Sequence, residues 1–138
     1  MISVRKQEVV KLENVLHLYQ AVGWTNYTHQ PQMLEKSLSH SLAIYLAHDG
    51  DSVVGLVRLV GDGFSSIFVQ DLLVLPSYQR QGIGSNLMKE ALGDFKDAYQ
   101  VQLVTDQTEK TLGFYRSLGF ETLSTYDCTG MIWVDRKR

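Results

Sequence analysis

The feature that most constrains this chain is a central segment in which an apolar run, a polar glycine loop and an amphipathic pattern follow one another. The run "SIFVQDLLVL" (66–75) ends at Pro76, and from Gly82 onward apolar residues recur three and four positions apart. A strand that leads through a loop into a helix is the first half of a β-α-β step. The segment therefore predicts an α/β fold.

Hydrophobic periodicity along the chain predicts the element order β-α-α-β-β-β-α-β-α-β-β. The predicted strands are 2–6, 42–47, 52–60, 66–75, 101–105, 120–124 and 130–135. The predicted helices are 11–22, a segment that begins at Pro31, 82–97, and 108–117 with Thr108 as its N-cap. No repeat or linker divides the chain, so we expect one domain, 1–138, with a mixed central sheet flanked by helices.

Composition excludes several classes of protein. The 138 residues are 44% hydrophobic and 20% charged, with a formal net charge of -2, which is typical of a globular domain. The one dense basic run, "DRKR" (135–138), is interpreted as a solvated tail, so we expect no nucleic-acid partner. No apolar run reaches the roughly 20 residues of a membrane helix, and the N-terminus lacks a signal-peptide pattern. Cys128 is the only cysteine, so we expect a soluble cytoplasmic protein without an internal disulfide.

The glycine loop "QRQGIGSN" (79–86) stands where the predicted helix begins. The first N–H groups of a helix are unpaired and carry partial positive charge, which suits phosphate oxygens. Gly82 and Gly84 allow a ligand to approach the backbone closely, Ser85 adds a hydroxyl group and Arg80 adds a positive charge. The loop therefore indicates a phosphate site, or an ordinary helix cap with the same glycines.

Two familiar phosphate motifs do not fit this loop. A P-loop requires Gly-Lys followed by Ser or Thr, and the chain has no such string. A dinucleotide turn requires a third glycine where Leu87 stands, and the five residues 77–81 make the loop too long for it. The pattern Q/R-x-x-G-x-G/A remains, and taken alone it leaves the helix-cap alternative open.

This string resembles the coenzyme A pyrophosphate loop of the GNAT superfamily of N-acetyltransferases. The resemblance extends upstream through "DLLVLPSYQ" (71–79), downstream through "FYRSLGF" (114–120), and to the order of elements along the chain. It implies a GNAT-like mixed sheet that splays between the fourth and fifth strands. Together with "GMIW" (130–133), the loop is similar to that of small bacterial and plastid-type enzymes that act on small amines or lysine.

The resemblance also implies a binding mode for acetyl-CoA. Pantetheine would lie along the splayed fourth strand and pair with the backbones of Leu73, Val74 and Leu75, whose side chains would also serve as core. The pyrophosphate would meet the backbone of the loop residues Gln79, Arg80, Gln81, Gly82, Ile83, Gly84 and Ser85. An N–H group near Val74 would polarise the thioester carbonyl.

Two proton-transfer roles follow from the same resemblance. Tyr115 stands where the family places a tyrosine that protonates the departing thiolate, with a packed core tyrosine as the alternative. The position of the family's glutamate or histidine base is taken by Gln70, which cannot accept a proton. Asp71 is the nearest carboxylate, and three roles stay open for it: base, ammonium ligand or structural hydrogen-bond partner. Asp106 replaces the family's asparagine near the fifth strand.

The segment "GWTNYTHQ" (23–30) follows the first helix, where family members line the acceptor pocket. Trp24, Tyr27 and His29 are therefore candidate substrate-binding residues together with Gln70, and ordinary packing of the aromatic rings is the alternative. The histidines show no metal-ligand spacing, so no metal is expected.

The leading interpretation is an N-acetyltransferase that moves an acetyl group from acetyl-CoA to a primary amine by direct attack in a ternary complex. Alternatives are an enzyme that acetylates protein lysines or N-termini, and a non-catalytic acyl-CoA-binding sensor, against which Tyr115 argues mildly. The expected partner is a small-molecule amine, neither nucleic acid nor membrane is expected, and a homodimer stays open.

Overall fold

The computed structural model describes residues 1–134. The basic run at 135–138, interpreted above as a solvated tail, lies outside the described residues. The chain forms two compact units, Met1–Val104 and Thr105–Arg138. The strands are β1 (Ile2–Gln7), β2 (Ala43–Asp49), β3 (Ser52–Gly61), β4 (Ser66–Val74) and β5 (Gln100–Leu103). The helices are α1 (Leu12–Ala21), α2 (Thr25–Thr28), α3 (Pro31–Ser39), α4 (Ile83–Asp94) and α5 (Glu109–Ser117).

The first unit is built on a five-stranded sheet in the order β1-β2-β3-β4-β5. Neighbouring strands from β1 to β4 are antiparallel, and β4 pairs with β5 in parallel. The parallel pair brackets α4, because a parallel connection needs a crossover element. This confirms the predicted mixed α/β sheet flanked by helices and the predicted β-α-β step.

Both faces of the sheet are covered, which explains why β2 is buried along most of its length. Ile44 and Leu46 face α1 and α3 and join the core cluster that contains Val15, Leu18 and Leu34. Tyr45, on the opposite face, donates its hydroxyl hydrogen to Asp94 of α4 at 2.7 Å. Since successive strand residues point to opposite faces, a strand covered on both sides reads as a continuous apolar run.

The second unit contains α5 and a 3-10 turn at Leu123–Tyr126. Thr108 caps α5 as predicted, because its side-chain oxygen accepts from Thr111 N at 3.3 Å. The two closing strands predicted at 120–124 and 130–135 are wrong for the residues that the structure describes, since no strand follows β5 up to residue 134. The 3-10 turn and the left-handed Asp127 (φ 58°) fold the chain locally instead.

Among the described residues, no helix has the length and apolar character needed to cross a bilayer. Within residues 1–134, no three His, Cys, Asp or Glu side chains cluster in a way that would hold a metal ion.

Candidate active site

An open backbone edge is the main feature of β4. The parallel pairing with β5 runs from Ser66 opposite Gln100 to Val69 opposite Leu103 and then stops. On its other side β4 stays paired with β3 as far as Val74. Residues 70–74 therefore lack a β5 neighbour, and the sheet splays there as the resemblance implied.

A β-bulge marks the start of this open edge. Arg58 of β3 is opposite Asp71, and the next residue, Leu59, is opposite Val69. Gln70 therefore has no partner on β3, which is the geometry of an extra residue inserted into one strand. It is also the first β4 residue beyond the last pair with β5, so the bulge and the splay begin at the same residue.

The direction of the backbone groups along the open edge follows from one hydrogen bond. Leu75 N donates to Val54 O at 2.9 Å and thus points towards β3. Because backbone groups alternate in direction along a strand, the N–H and C=O groups of Leu72 and Val74 point to the open side. Sequence reasoning named Leu73, Val74 and Leu75 and missed Leu72; only the register shows which residues face outward.

The loop after β4 brings unpaired N–H groups to the start of α4. Arg80 (φ 65°) and Gly82 (φ 79°) are both left-handed, and no side chain caps the helix. The first hydrogen bond of the helix runs from Asn86 N to Gly82 O at 3.0 Å. The N–H groups of residues 83–85 lie before this bond and have no acceptor within the helix. A Cβ atom added at Gly82 would meet nothing within 4 Å. The open space and free donors fit a diphosphate.

The side chains of the loop anchor it at both ends. Tyr78 donates its hydroxyl hydrogen to Asp49 at 2.6 Å, and this bond lowers the pKa of the Asp49 carboxyl group. Gln79 Nε2 donates to Val74 O at 3.1 Å, and Gln81 Nε2 donates to Ser77 O at 3.4 Å. Ile83 is buried and fixes the first turn of α4 in the core. The Tyr78–Asp49 contact joins positions 29 residues apart, and no sequence signal pointed to it.

Asp71 lies in a buried polar cluster, which we call the Asp71 network: Tyr19, Tyr27, Arg58 and Asp71. Asp71 Oδ2 accepts from Arg58 Nε at 2.7 Å and from Tyr19 OH at 2.9 Å, and Oδ1 accepts from Tyr27 OH at 2.9 Å. Asp71 is only 2% exposed. Its carboxylate is thus enclosed by three donors, which is the geometry of the structural role considered above.

Burial and the Asp71 carboxylate together shift the pKa values of Tyr19, Tyr27 and Arg58. Burial raises the pKa of Tyr19 and of Tyr27, and the negative charge of Asp71 raises both further. Burial alone would lower the pKa of Arg58, but the adjacent carboxylate reverses this and the net shift is upward. Both phenols therefore keep their hydrogens, and the guanidinium keeps its charge, well above neutral pH.

The structure brings three of the four acceptor-side candidates together, and Gln70 Nε2 donates to Tyr27 OH at 3.3 Å. Trp24 packs against Tyr27 with ring centroids 6.2 Å apart, and Tyr27 packs edge-on against Tyr19 at 5.2 Å. Tyr27 is buried, so its ring belongs to the core while its hydroxyl group belongs to the Asp71 network. His29 instead lines an open surface pocket beside α3.

Tyr115 lies on α5 in the second unit. Its ring packs against Phe114 and Phe120, with centroids 5.0 Å and 6.0 Å away. Burial raises the pKa of the Tyr115 phenol, and the charge of Asp106 raises it further. Asp106 accepts from Thr108 N at 3.0 Å and so helps to cap α5. The phenol is therefore neutral at physiological pH, as a proton donor must be.

Comparison with known proteins decides the family. Residues 40–122 match the sequence profile of the acetyltransferase (GNAT) domain, which covers more than half of the chain. The chain belongs to the GNAT acetyltransferase family.

Individual relatives agree with this assignment. A GNAT family acetyltransferase structure from Streptococcus pneumoniae TIGR4 superposes with a TM-score of 0.92 at 77% identity and 99% coverage of both chains. A chloroplastic serotonin N-acetyltransferase 2 from Oryza sativa is 30% identical over 95 residues, which cover 66% of this chain and 48% of the rice protein. A chloroplastic GCN5-related N-acetyltransferase 1 from Arabidopsis thaliana is 27% identical, with coverage of 97% and 68%. The chain thus spans about half of the rice relative.

Proposed function

We propose that this GNAT acetyltransferase moves an acetyl group from acetyl-CoA to a primary amine by direct attack in a ternary complex. The observation that carries the proposal is the continuity between the open edge of β4 and the glycine loop. Val74 ends that edge, and the uncapped start of α4 at Ile83 follows nine residues later along the chain. An extended ligand with amide groups at one end and a diphosphate at the other suits both features.

Each part of acetyl-CoA has a binding group in this proposal. The outward N–H groups of Leu72 and Val74 line the path of the pantetheine arm and its thioester in the manner of an added strand. The N–H groups at the start of α4 bind the pyrophosphate, and Arg80 adds positive charge. The Val74 N–H also stabilises negative charge on the thioester oxygen as the amine attacks.

The chemistry requires two proton movements. The neutral amine attacks the thioester carbonyl carbon, so a C–N bond forms and the C–S bond breaks. The nitrogen loses one proton to water, and the leaving thiolate gains one from Tyr115, by resemblance to the family, which yields an acetamide and CoA thiol. The Tyr115 phenolate then regains a proton from water, so the two transfers balance. Asp71 is already enclosed by three donors, so we assign it the structural role and pass the amine proton to water.

A small amine is the acceptor that we favour over a protein lysine or N-terminus. The rice relative is named for serotonin, an arylalkylamine, and Trp24 packs against Tyr27 on the acceptor side. Aromatic faces suit both an aryl ring and an ammonium group.

The test is acetyl-CoA turnover, measured as thiol release, over a panel of arylalkylamines, polyamines, aminoglycosides, amino acids and lysine peptides. We expect turnover with a small amine and weaker turnover with peptides. Preference for a lysine peptide would support the protein acetyltransferase instead. Binding of CoA by calorimetry without turnover of any amine would support the sensor and contradict the enzyme.

A further inference from the structure

The Asp71 network has a fixed hydrogen-bond direction that reaches Gln70. Asp71, as a carboxylate, only accepts hydrogen bonds. Tyr27 has one hydroxyl hydrogen and donates it to Asp71 Oδ1 at 2.9 Å. The phenol oxygen is then left to accept, and it does so from Arg58 Nη2 and Gln70 Nε2, both at 3.3 Å.

This direction determines which way the Gln70 amide faces. The two ends of a glutamine amide are chemically distinct, and the hydrogen-bond network decides between them. If Oε1 faced Tyr27, two oxygens would meet with no hydrogen between them, because the phenol hydrogen is given to Asp71. Nε2 therefore faces Tyr27 and Oε1 faces away. The raised pKa of Tyr27 keeps the hydroxyl group protonated, so the orientation persists across the working pH range.

Gln70 lies at the start of the open edge of β4. It is the bulge residue of β4, the first residue past the last β5 pair, and its side chain is exposed. Oε1 receives no hydrogen bond from the residues that the structure describes, whereas Nε2 is used. The chain thus places a free carbonyl oxygen where the splayed edge begins.

We propose that Gln70 Oε1 accepts a hydrogen bond from the acceptor amine, and that Tyr27 and Asp71 are positioning residues that hold the amide in this orientation. The inference rests on the proposed function. An amide oxygen accepts an N–H bond but takes no proton, so Gln70 cannot deprotonate the amine, which must already be neutral when it attacks. The amine's own pKa, rather than that of a protein base, then sets the acid limb of kcat/KM.

The surrounding groups are consistent with this pH behaviour. Within the described chain, the charged and titratable groups joined to Gln70 by the hydrogen bonds of the Asp71 network are Asp71 on β4, Arg58 on β3, Tyr19 on α1 and Tyr27 on α2. α3 and the residues after it contribute the Ser37 carbonyl and the Ser41 hydroxyl, which are neutral. No histidine takes part in these contacts.

The experiment compares the parent with Gln70→Met, Gln70→Glu and Tyr27→Phe, using the best amine from the panel. Gln100→Met and Gln100→Glu are matched controls, because Gln100 is exposed at the opposite end of the β4–β5 pairing, about 13 Å away by strand rise. The readouts are the amine KM, the pH profile of kcat/KM and the Kd of CoA.

We expect Gln70→Met and Tyr27→Phe to raise the amine KM roughly tenfold, the effect of about one hydrogen bond, with the Kd of CoA unchanged. Gln70→Glu supplies a proton acceptor and should extend activity to lower pH, about tenfold above the parent at pH 6. In the parent, the acid limb of the kcat/KM profile should lie at higher pH for the amine with the higher pKa when two amines are compared.

The outcomes separate the two proposals. Two results would overturn this inference and leave the proposed function standing, provided that the parent acetylates an amine. One is a Gln70→Met variant with the parent's amine KM. The other is an acid limb of kcat/KM that does not change with the pKa of the amine. A parent that binds CoA and acetylates no amine overturns both. If Tyr27→Phe loses its melting transition, the two Gln70 variants decide the question, because the Gln70 side chain is exposed and its replacement leaves the core intact.

Discussion

Gly82 is the residue on which the geometry of the glycine loop most depends. Its φ of 79° is one that other residues adopt at a cost of about 1–2 kcal/mol, and a side chain there would occupy the open space proposed for the pyrophosphate. We expect Gly82→Val to weaken CoA binding at least tenfold in calorimetry. Gly93→Val is the matched control, since Gly93 lies late in α4 with open space around it. Unchanged affinity in a folded Gly82→Val protein would refute the assignment of the loop.

Tyr115 is proposed as the proton donor, and its oxygen can be removed without removing its ring. Tyr115→Phe should lower kcat by about a hundredfold to ten-thousandfold and leave the Kd of CoA unchanged. Because burial raises the phenol's pKa, an alkaline loss of activity caused by Tyr115 should lie above the pH range in which a free tyrosine loses its proton. Tyr126→Phe, in the same unit and exposed, is the control. A kcat within about threefold of the parent, with chemistry rate-limiting, would return Tyr115 to a packing role.

Local geometry was predictable from the sequence where neighbouring residues determine it. The start of α4 after the glycine loop and the Thr108 cap of α5 are of this kind, since turn and cap residues act on their own neighbours. Asp71 is different, because its partners Tyr19 and Tyr27 are 52 and 44 positions away in sequence. No local pattern distinguishes a carboxylate enclosed by two phenols and a guanidinium from one that is free to act as a base.

At the scale of elements, the apolar patterns located all five strands of the sheet within one or two residues. These patterns follow burial: β2, β3 and β4 contain buried residues, and β1 and β5 contain half-buried residues between exposed ones. The two closing strands were predicted from short local apolar patterns, and such a pattern does not supply a partner strand. The short α2 was missed because a single turn of helix has too few residues to show a period.

The open edge of β4 gives a prediction at the level of one element. The Leu73 and Leu75 amides point to β3, whereas those of Leu72 and Val74 point to the open side. In the free protein, we expect the Leu72 and Val74 amides to exchange with solvent at least tenfold faster than their two neighbours. Adding CoA should slow them to a similar rate, as measured by residue-resolved hydrogen exchange. Equal protection of all four amides without ligand would contradict the splayed edge.

For the whole molecule, the segment Met131–Val134 leads to an expectation about assembly. Its four apolar side chains are 69–95% exposed, and large exposed apolar runs are typical of interaction sites. The outer edge of β5 has no strand neighbour among the described residues, so two copies of the chain would each offer an unpaired edge and an exposed apolar segment.

We therefore expect a homodimer, with a mass near twice 15.6 kDa by light scattering. Trp133→Asp should shift the population to monomer, because it places a charge in the contact. Val9→Asp, at another exposed apolar residue, should not. A parent that is monomeric at every concentration tested would exclude this assembly.

The hydrogen bond from Gln79 Nε2 to Val74 O bears on where affinity for CoA arises. A ligand amide that replaces the glutamine amide on this carbonyl exchanges one N–H···O bond for another of the same kind. Such an exchange adds little net free energy, and its value is alignment of the ligand along the strand. Affinity must then come from groups that the free protein leaves to water, the outward N–H groups of β4 and the first turn of α4. Fragments of CoA that lack the pyrophosphate should accordingly adopt the correct register and still bind weakly.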